Sequence, residues 1–511
     1  MKEASVLSLI YSAAINGIDA NIVEVETYIS SGMPVFSIVG LADIAVKESR
    51  DRVAAALKNS GFDFPSKKIT VNLAPADIKK EGGIFDLSIA LGIIAANDKI
   101  KRDNLKNFCA VGELSLDGKI RKVKGVLPIS LTLNKNQIKN FIVPFANRQE
   151  AAVAGAINVF PFKTLTEVVK FINGEIACKK YIYNDKGLNF LEECEYDFAD
   201  VKGQKNAKRA SEIAAAGGHN MLMSGPPGSG KTMIAKRIPS ILPPMTFDEA
   251  VETTKIWSAA GHSFNGGLIR SRAFRSPHHT SSAAALAGGG VYPKPGEVSL
   301  SHNGVLFLDE FVEFRRDALE VLRQPLEDKV ITVSRARNSF TFPASFMLVA
   351  AMNPCPCGNL GHREKECACS PNQIRKYQSK VSGPLMDRID IHIEVPALKF
   401  SELSSLTSDS ETSSSIRNRV IKAREIQNLR FANTRIHCNA QMQSKEVKKY
   451  CILDDKAYEI LKSAIDKLNF SARSYDKILK VSRTIADLDA MDLIKANHVA
   501  EAIRYRFIDR C

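Results

Sequence analysis

Apolar and polar positions alternate in short blocks through the first 175 residues. "MPVFSIVGL" and "KKITVNLAP" are rich in branched and aromatic residues and predict strands. "IAVKESRDRVAAALKNSG" repeats apolar residues at helical spacing and stops at Gly61, a helix C-terminal signal. "DLSIALGIIAAND" predicts a second, apolar helix, and "CAVGELSLDGKIRKVKGV" a strand pair turning at Asp117-Gly118. Residues 176–200 are mixed and charged and read as a linker. A new unit starts at Val201, where "NAKRASEIAAAGG" predicts a helix ending at Gly217-Gly218, and helices and strands alternate to about residue 400. Residues 401–415 are Ser/Thr-rich and read as a flexible hinge, and 416–511 are helical by pattern throughout.

Composition changes this picture little. The chain has 511 residues, enough for two to four domains, with 45% hydrophobic and 25% charged residues, ordinary for a soluble globular protein. Lys and Arg number 70 against 56 Asp and Glu, a net +14 that suits a polyanion partner such as nucleic acid but is spread along the chain. Glu3 interrupts a positive start and no apolar run reaches a membrane-spanning length, so neither a secretory signal nor a membrane span is expected and the expected location is cytoplasmic. Cysteines stay reduced there, so clustered ones read as metal ligands before disulfides.

The chemistry starts at "GPPGSGKT": Gly225, Pro226, Pro227, Gly228, Ser229, Gly230, Lys231 and Thr232 match G-x-x-x-x-G-K-[ST] in full, between a predicted strand and a predicted helix. Such a loop turns backbone N–H groups onto phosphate oxygens at a helix N-terminus. Lys231 is expected at the β and γ phosphates of ATP and Thr232 at Mg²⁺. "GVLFLDEF" reads as a buried parallel strand with Asp309 and Glu310 at its carboxyl end, Asp309 toward Mg²⁺ and Glu310 as general base. A third strand, "SFMLVAAMN", ends at Asn353, which suits holding the attacking water or simply turning the chain before Pro354. In "GPLMDRIDIHIEV", Arg388 reads either as an arginine finger to a neighbouring subunit or as a local partner of Asp387 or Asp390. Arg473 opens a later helix and reads as an ATP contact or a surface residue, with Arg483 as the fallback.

Directly after Asn353, Cys355, Cys357, Cys367 and Cys369 form two Cys-x-Cys pairs in a Cys-rich loop, 355–369. Four thiolates suit a closed, tetrahedral, structural Zn²⁺ site, with His362 able to replace one of them and four reduced thiols as the alternative. In "FRSPHHT", His278 and His279 lack a nearby third ligand, so a structural or intersubunit role is expected.

In their order, the phosphate loop, "LFLDE", the strand-end Asn, the "DRID" Arg and the "SAR" Arg resemble an AAA+ ATPase of the magnesium-chelatase-like clade. "GLADIAVKESRDRV", "TVNLAPADIKKEG", "FRSPHHTSSAAALAGGG" and "AAMNPCPCGNLG" narrow the resemblance to the bacterial ComM/YifB family. That resemblance implies an α/β chain: a Lon-protease-like, ribosomal-S5-like α+β domain (1–175), the linker (176–200), an AAA+ parallel-sheet core (201–400), the hinge (401–415) and a helical lid (416–511). It implies an ATP-driven homohexameric motor that promotes DNA branch migration in natural transformation, alongside other recombination proteins. It also implies pore-lining insertions, with Lys294 in a Gly-rich loop and Arg335 and Arg337 on a hairpin as DNA contacts, the alternative for the two Arg being an exposed strand face or an intersubunit nucleotide contact. Where a Lon-like domain carries its nucleophilic Ser, this chain has Phe85 or Asp86; Ser88 lies inside the apolar helix and Lys124 falls early, so proteolysis is not expected. The competing readings are a magnesium-chelatase-type motor and a protein-remodelling ATPase.

Overall fold

The computed structural model describes residues 6–183, 195–262, 267–290, 293–334, 339–361, 365–397, 411–434, 436–468 and 471–506. Contacts divide the chain into two units, one of residues 1–188 with 247–269 and one of 189–246 with 270–511. The segment 247–269 interrupts the predicted ATPase core in sequence yet belongs to the first unit. Its helix Phe247–Ala260 sends Ser258 Oγ to Glu150 and Lys255 Nζ to Asp19, both at 2.5 Å.

The first unit is a seven-stranded mixed sheet, ordered Phe36–Val39, Lys68–Ala74, Asp19–Ser30, Val6–Asn16, Phe108–Ala110, Asn140–Pro144, Asn158–Phe162. The sequence pattern predicts no element in residues 6–30, yet they form its two longest strands, antiparallel from Val6↔Ile29 to Asn16↔Asp19. Their sheltered face carries hydroxyls among the aliphatics: Ser8, Ser12 and Thr27 are all buried, Ser8 donating to Gly92 O and Ser12 to Ala110 O. Helix Asp86–Ala96 is buried along its whole length, as an apolar run requires. It approaches the sheet so closely that a Cβ at Gly92 would fall 2.4 Å from Thr27 Oγ1. The expected strand pair is Glu113–Leu114 with Ile120–Arg121, turning at Gly118 with φ +81°.

The second unit is a five-stranded parallel sheet, ordered Phe274–Arg275, Val305–Leu308, Met347–Met352, Met221–Ser224, Ile391–Glu394. The three inner strands are fully buried, which explains their unbroken apolar runs. Helices Ser413–Arg430, Ser444–Tyr450, Asp455–Leu468, Ala472–Leu488 and Ala496–Arg504 realise the helical C-terminal region and share one hydrophobic core with this sheet. Of the predicted hinge, 401–410 lie outside the described residues. Its end is ordered: Thr412 caps helix Ser413–Arg430, and buried Ser413 accepts from Phe198 N and shares a hydrogen bond with Ser240. Ser and Thr next to a helix start act as caps, a role that composition alone does not separate from a loop. Both described ends of the predicted linker are anchored too, Tyr181 bridging Val159 in the first unit and Phe198 lying in the core of the second. Among the described residues, no helix is long and apolar enough to cross a membrane.

Candidate nucleotide site

Register brings the predicted site residues to one edge of the second sheet. Ser224 pairs with Met352, so the phosphate loop leaves the sheet beside Asn353, and Leu308 pairs with Ala350, which carries Asp309 and Glu310 to the same edge. Gly225 has no room for a side chain, since a Cβ would lie 2.2 Å from Val395 O. Gly228 and Gly230 take φ of +78° and +93°, and the chain then enters helix Lys231–Ile241. Lys231 Nζ is buried and donates to Gly225 O at 2.7 Å and Pro226 O at 2.9 Å, with Asn353 Oδ1 at 3.4 Å. Burial lowers its pKa, against the attraction of Asp309. Ser229 Oγ is buried without a hydrogen-bond partner, Pro226 is buried, and Pro227 is exposed.

Thr232 Oγ1 donates to Asp309 Oδ2 at 2.7 Å, so the two expected Mg²⁺ residues face each other. Glu310 is exposed, in left-handed backbone with φ +52°, its N–H donating to Asp309 Oδ1. His279 Nδ1 lies 2.9 Å from Glu310 Oε2, a placement the sequence reading missed. The His pair stood out, but its partner is set by the parallel pairing of Phe274–Arg275 with Val305–Leu308, which no local pattern encodes.

The arginines are engaged locally. Arg388 donates to Glu327 and to Pro384 O, so its ion-pair partner is neither Asp387 nor Asp390. Arg473 is exposed, 3.6 Å from Asp387. Arg483 is fully buried against Asp487 and the carbonyls of Met491 and Asp492, which removes it as a nucleotide contact. Asp390 is buried. Desolvation opposes its charge, yet the hydrogen bond from His219 and the nearby Lys477 and Lys480 hold its carboxyl well below the usual carboxylate range. His219 bridges Asp390, at 3.2 Å, to Thr484 in the C-terminal helices, at 2.8 Å.

The cysteines converge. Cys355 Sγ is 3.4 Å from Cys357 and 3.6 Å from Cys367, and all four sulfurs lie within 4.8 Å of one another. Four ligands about 2.3 Å from a central zinc stand about 3.8 Å apart in a tetrahedron, close to these spacings. Leu360 N–H donates to Cys355 Sγ, and the backbone N–H of Asn359 with Cys355 pulls the Cys357 thiol down to about 6. His362 lies outside the described residues. Of the expected DNA contacts, Lys294 is exposed where Lys294–Pro295 pairs with Gly288–Gly289. The predicted hairpin is Val330–Ser334 with Ser339–Pro343, and Arg335 and Arg337 lie outside the described residues.

In the first unit, Ser88 is buried and donates to Phe85 O at 2.9 Å. Asp86 is buried between Arg52 Nε, at 2.9 Å, Ser49 Oγ and Leu114 N–H.

Three family profiles match: Subunit ChlI of Mg-chelatase over 25–147, Magnesium chelatase, subunit ChlI over 197–403, and Magnesium chelatase, subunit ChlI C-terminal over 410–506. The chain is 46% identical to Competence protein ComM of Haemophilus influenzae over 99% of this chain and 98% of that one. It is 41% identical to Uncharacterized protein YifB of Salmonella typhimurium, again over 99% and 98%. Lon protease 2 of Bacillus subtilis matches at 29% over 124 residues, 24% of this chain and 22% of its own length. With an AAA+ phosphate-loop edge in the second unit and relatives matched from end to end, the chain belongs to the ComM/YifB family of magnesium-chelatase-like AAA+ ATPases.

Proposed function

We propose that this ATPase is a homohexameric ring motor acting on DNA in the cytoplasm, a branch-migration helicase that supports recombination in natural transformation together with other recombination proteins. The observation that carries the ATPase part is the Thr232–Asp309 pair at the carboxyl edge of the sheet, beside a phosphate loop with a caged Lys231 and an orphaned Ser229 hydroxyl. These residues fit a nucleoside triphosphate with a divalent cation: a buried cation without a carboxylate within hydrogen-bonding reach favours an anion, and a hydroxyl facing a carboxylate suits a hard metal. The DNA part rests on the end-to-end likeness to a protein named for competence and on the +14 net charge.

In this reading Gly225 to Gly230 present backbone N–H groups to phosphate oxygens, and Lys231 exchanges its carbonyls for the β and γ phosphates. Thr232 and Asp309 would hold Mg²⁺, which neutralises charge developing on the phosphates. Glu310 takes the proton of the attacking water, and Asn353 orients that water. His279 engages Oε2 of Glu310, so the other carboxylate oxygen is the one that takes this proton. Arg388 serves a neighbouring subunit's nucleotide after leaving Glu327, and Arg473 reads the nucleotide from the lid. Lys294, Arg335 and Arg337 contact DNA phosphates. The first unit organises the ring or binds DNA and does not cut peptides. The four cysteines hold structural Zn²⁺.

The matched profiles carry the name of a metal chelatase, so a chelatase-type or protein-remodelling motor is the second reading. ATP hydrolysis measured with and without a four-way DNA junction, with Glu310→Gln as control, separates them. Stimulation by the junction that the variant loses supports the DNA motor. Wild-type hydrolysis indifferent to every DNA offered overturns it in favour of the second reading.

A further inference from the structure

The cysteine loop is tied to the nucleotide site at both ends. It begins two residues after Asn353. Beyond Cys369, Ser370 caps helix Pro371–Gln378 with a complete capping box. That helix returns to the start of the loop: Gln378 Nε2 donates at 3.4 Å to the carbonyl of Pro354, the residue after Asn353, and the neighbouring Tyr377 is buried. In the middle, Gly358 takes φ +79° and lies against the phosphate loop, where an added Cβ would stand 2.7 Å from Pro227 Cδ. One short segment thus touches the phosphate loop through Gly358 and is tied back at Pro354, next to the strand-end Asn, through Gln378. Among the described residues, the four converging sulfurs hold its interior together with two backbone donors, Gly358 N–H to Cys355 O and Leu360 N–H to Cys355 Sγ, since a 15-residue excursion of this composition has little apolar core of its own.

We infer that the tetrathiolate site is a metal-dependent clamp on ATP binding: Zn²⁺ on Cys355, Cys357, Cys367 and Cys369 holds Gly358 against Pro227 and Asn353 against Lys231, so the phosphate loop is preorganised only in the metal-loaded chain. The inference rests on the zinc reading above and extends it from a local staple to control of the ATP site. The cost of losing the metal is the ordering of the loop at the moment of nucleotide binding.

The test uses the full-length protein and two readouts. Elemental analysis gives zinc per chain before and after a chelator of high zinc affinity, and a fluorescent ATP analogue gives nucleotide Kd by anisotropy. Near one zinc per chain is expected, with Kd weakened about tenfold on its removal and restored by added Zn²⁺. Circular dichroism melts report whether the rest of the chain stays folded. Gly358→Ala keeps all four ligands while crowding Pro227 and straining the left-handed backbone at that position, so it should retain zinc and still weaken nucleotide binding. Absence of stoichiometric zinc sinks the zinc reading itself. Stoichiometric zinc whose removal, like Gly358→Ala, leaves Kd unchanged keeps the staple and overturns the clamp.

Discussion

The two units treat their polar residues in opposite ways. In the first, helix Asp86–Ala96 starts with Asp86 and Ser88, which with Ser49 of helix Ile44–Asn59 are all buried and all bonded: Asp86 to Arg52, Ser49 and Leu114 N–H, Ser88 to Phe85 O. In the second, Thr232 and Glu310 are exposed, Asp309 is half-buried, and Lys231 leans on backbone carbonyls. A buried group with every bond made at home holds a fold together and has nothing left to offer a substrate. An exposed carboxylate in left-handed backbone contributes little to stability and costs backbone strain, which chemistry can justify. The first arrangement is structural and the second is poised for a ligand, although both lie on polar residues set among apolar elements.

The largest effect that sharpens this contrast is on the second unit. Glu310→Gln should cut ATP turnover about 1000-fold while the fluorescent-ATP Kd and the melting temperature stay near wild type. A melting drop of several degrees instead would place Glu310 with the structural residues. Asp86→Asn should do the reverse. It leaves Arg52 without its buried partner, so about 3 kcal/mol of stability should be lost in denaturant titrations while turnover per folded molecule holds. Loss of turnover without loss of stability would break the comparison from the other side.

Legibility follows the same divide between local and distant pairing. The phosphate loop, "LFLDE" and the four cysteines were readable because their chemistry sits in contiguous spacing and their context is a buried parallel strand on each side. The partners of single polar residues were not. Arg388 pairs with Glu327, 61 positions away, in place of its acidic neighbours, and Asp390 pairs with His219, 171 positions away. Strands Val6–Asn16 and Asp19–Ser30 escaped because Ser8, Ser12 and Thr27 occupy sheltered positions that an alternation pattern scores as exposed. The cysteine spacing pointed to zinc, but nothing local pointed Gly358 at Pro227.

A third test exploits Asp390, a second-unit carboxylate that behaves like those of the first. Its folded pKa is depressed below the unfolded value by His219, Lys477 and Lys480, so its contribution to stability is fully present above the ordinary carboxylate range. That contribution drains as pH falls through that range toward the folded value. Wild type should therefore lose stability on the acid limb below about pH 4, and Asp390→Asn should flatten that limb while lowering the neutral plateau. An unchanged acid limb in the variant would show that the lid's tie to the sheet does not run through this carboxylate.

The smallest effect falls where the two kinds of residue meet. His279 and Glu310 form a half-exposed pair at 2.9 Å, worth little to stability. Were it only a surface contact, His279→Ala would change nothing measurable. If Glu310 is the general base, its contact with His279 through Oε2 sets the starting position of that base while the other oxygen stays available. His279→Ala should then change turnover by about twofold with melting temperature and nucleotide Kd unmoved. His279→Gln, which keeps a donor in reach, should restore the wild-type rate. Rescue by Gln separates a hydrogen bond that positions the base from mere bulk at that position, since a side chain acting by packing would be restored by Leu as well.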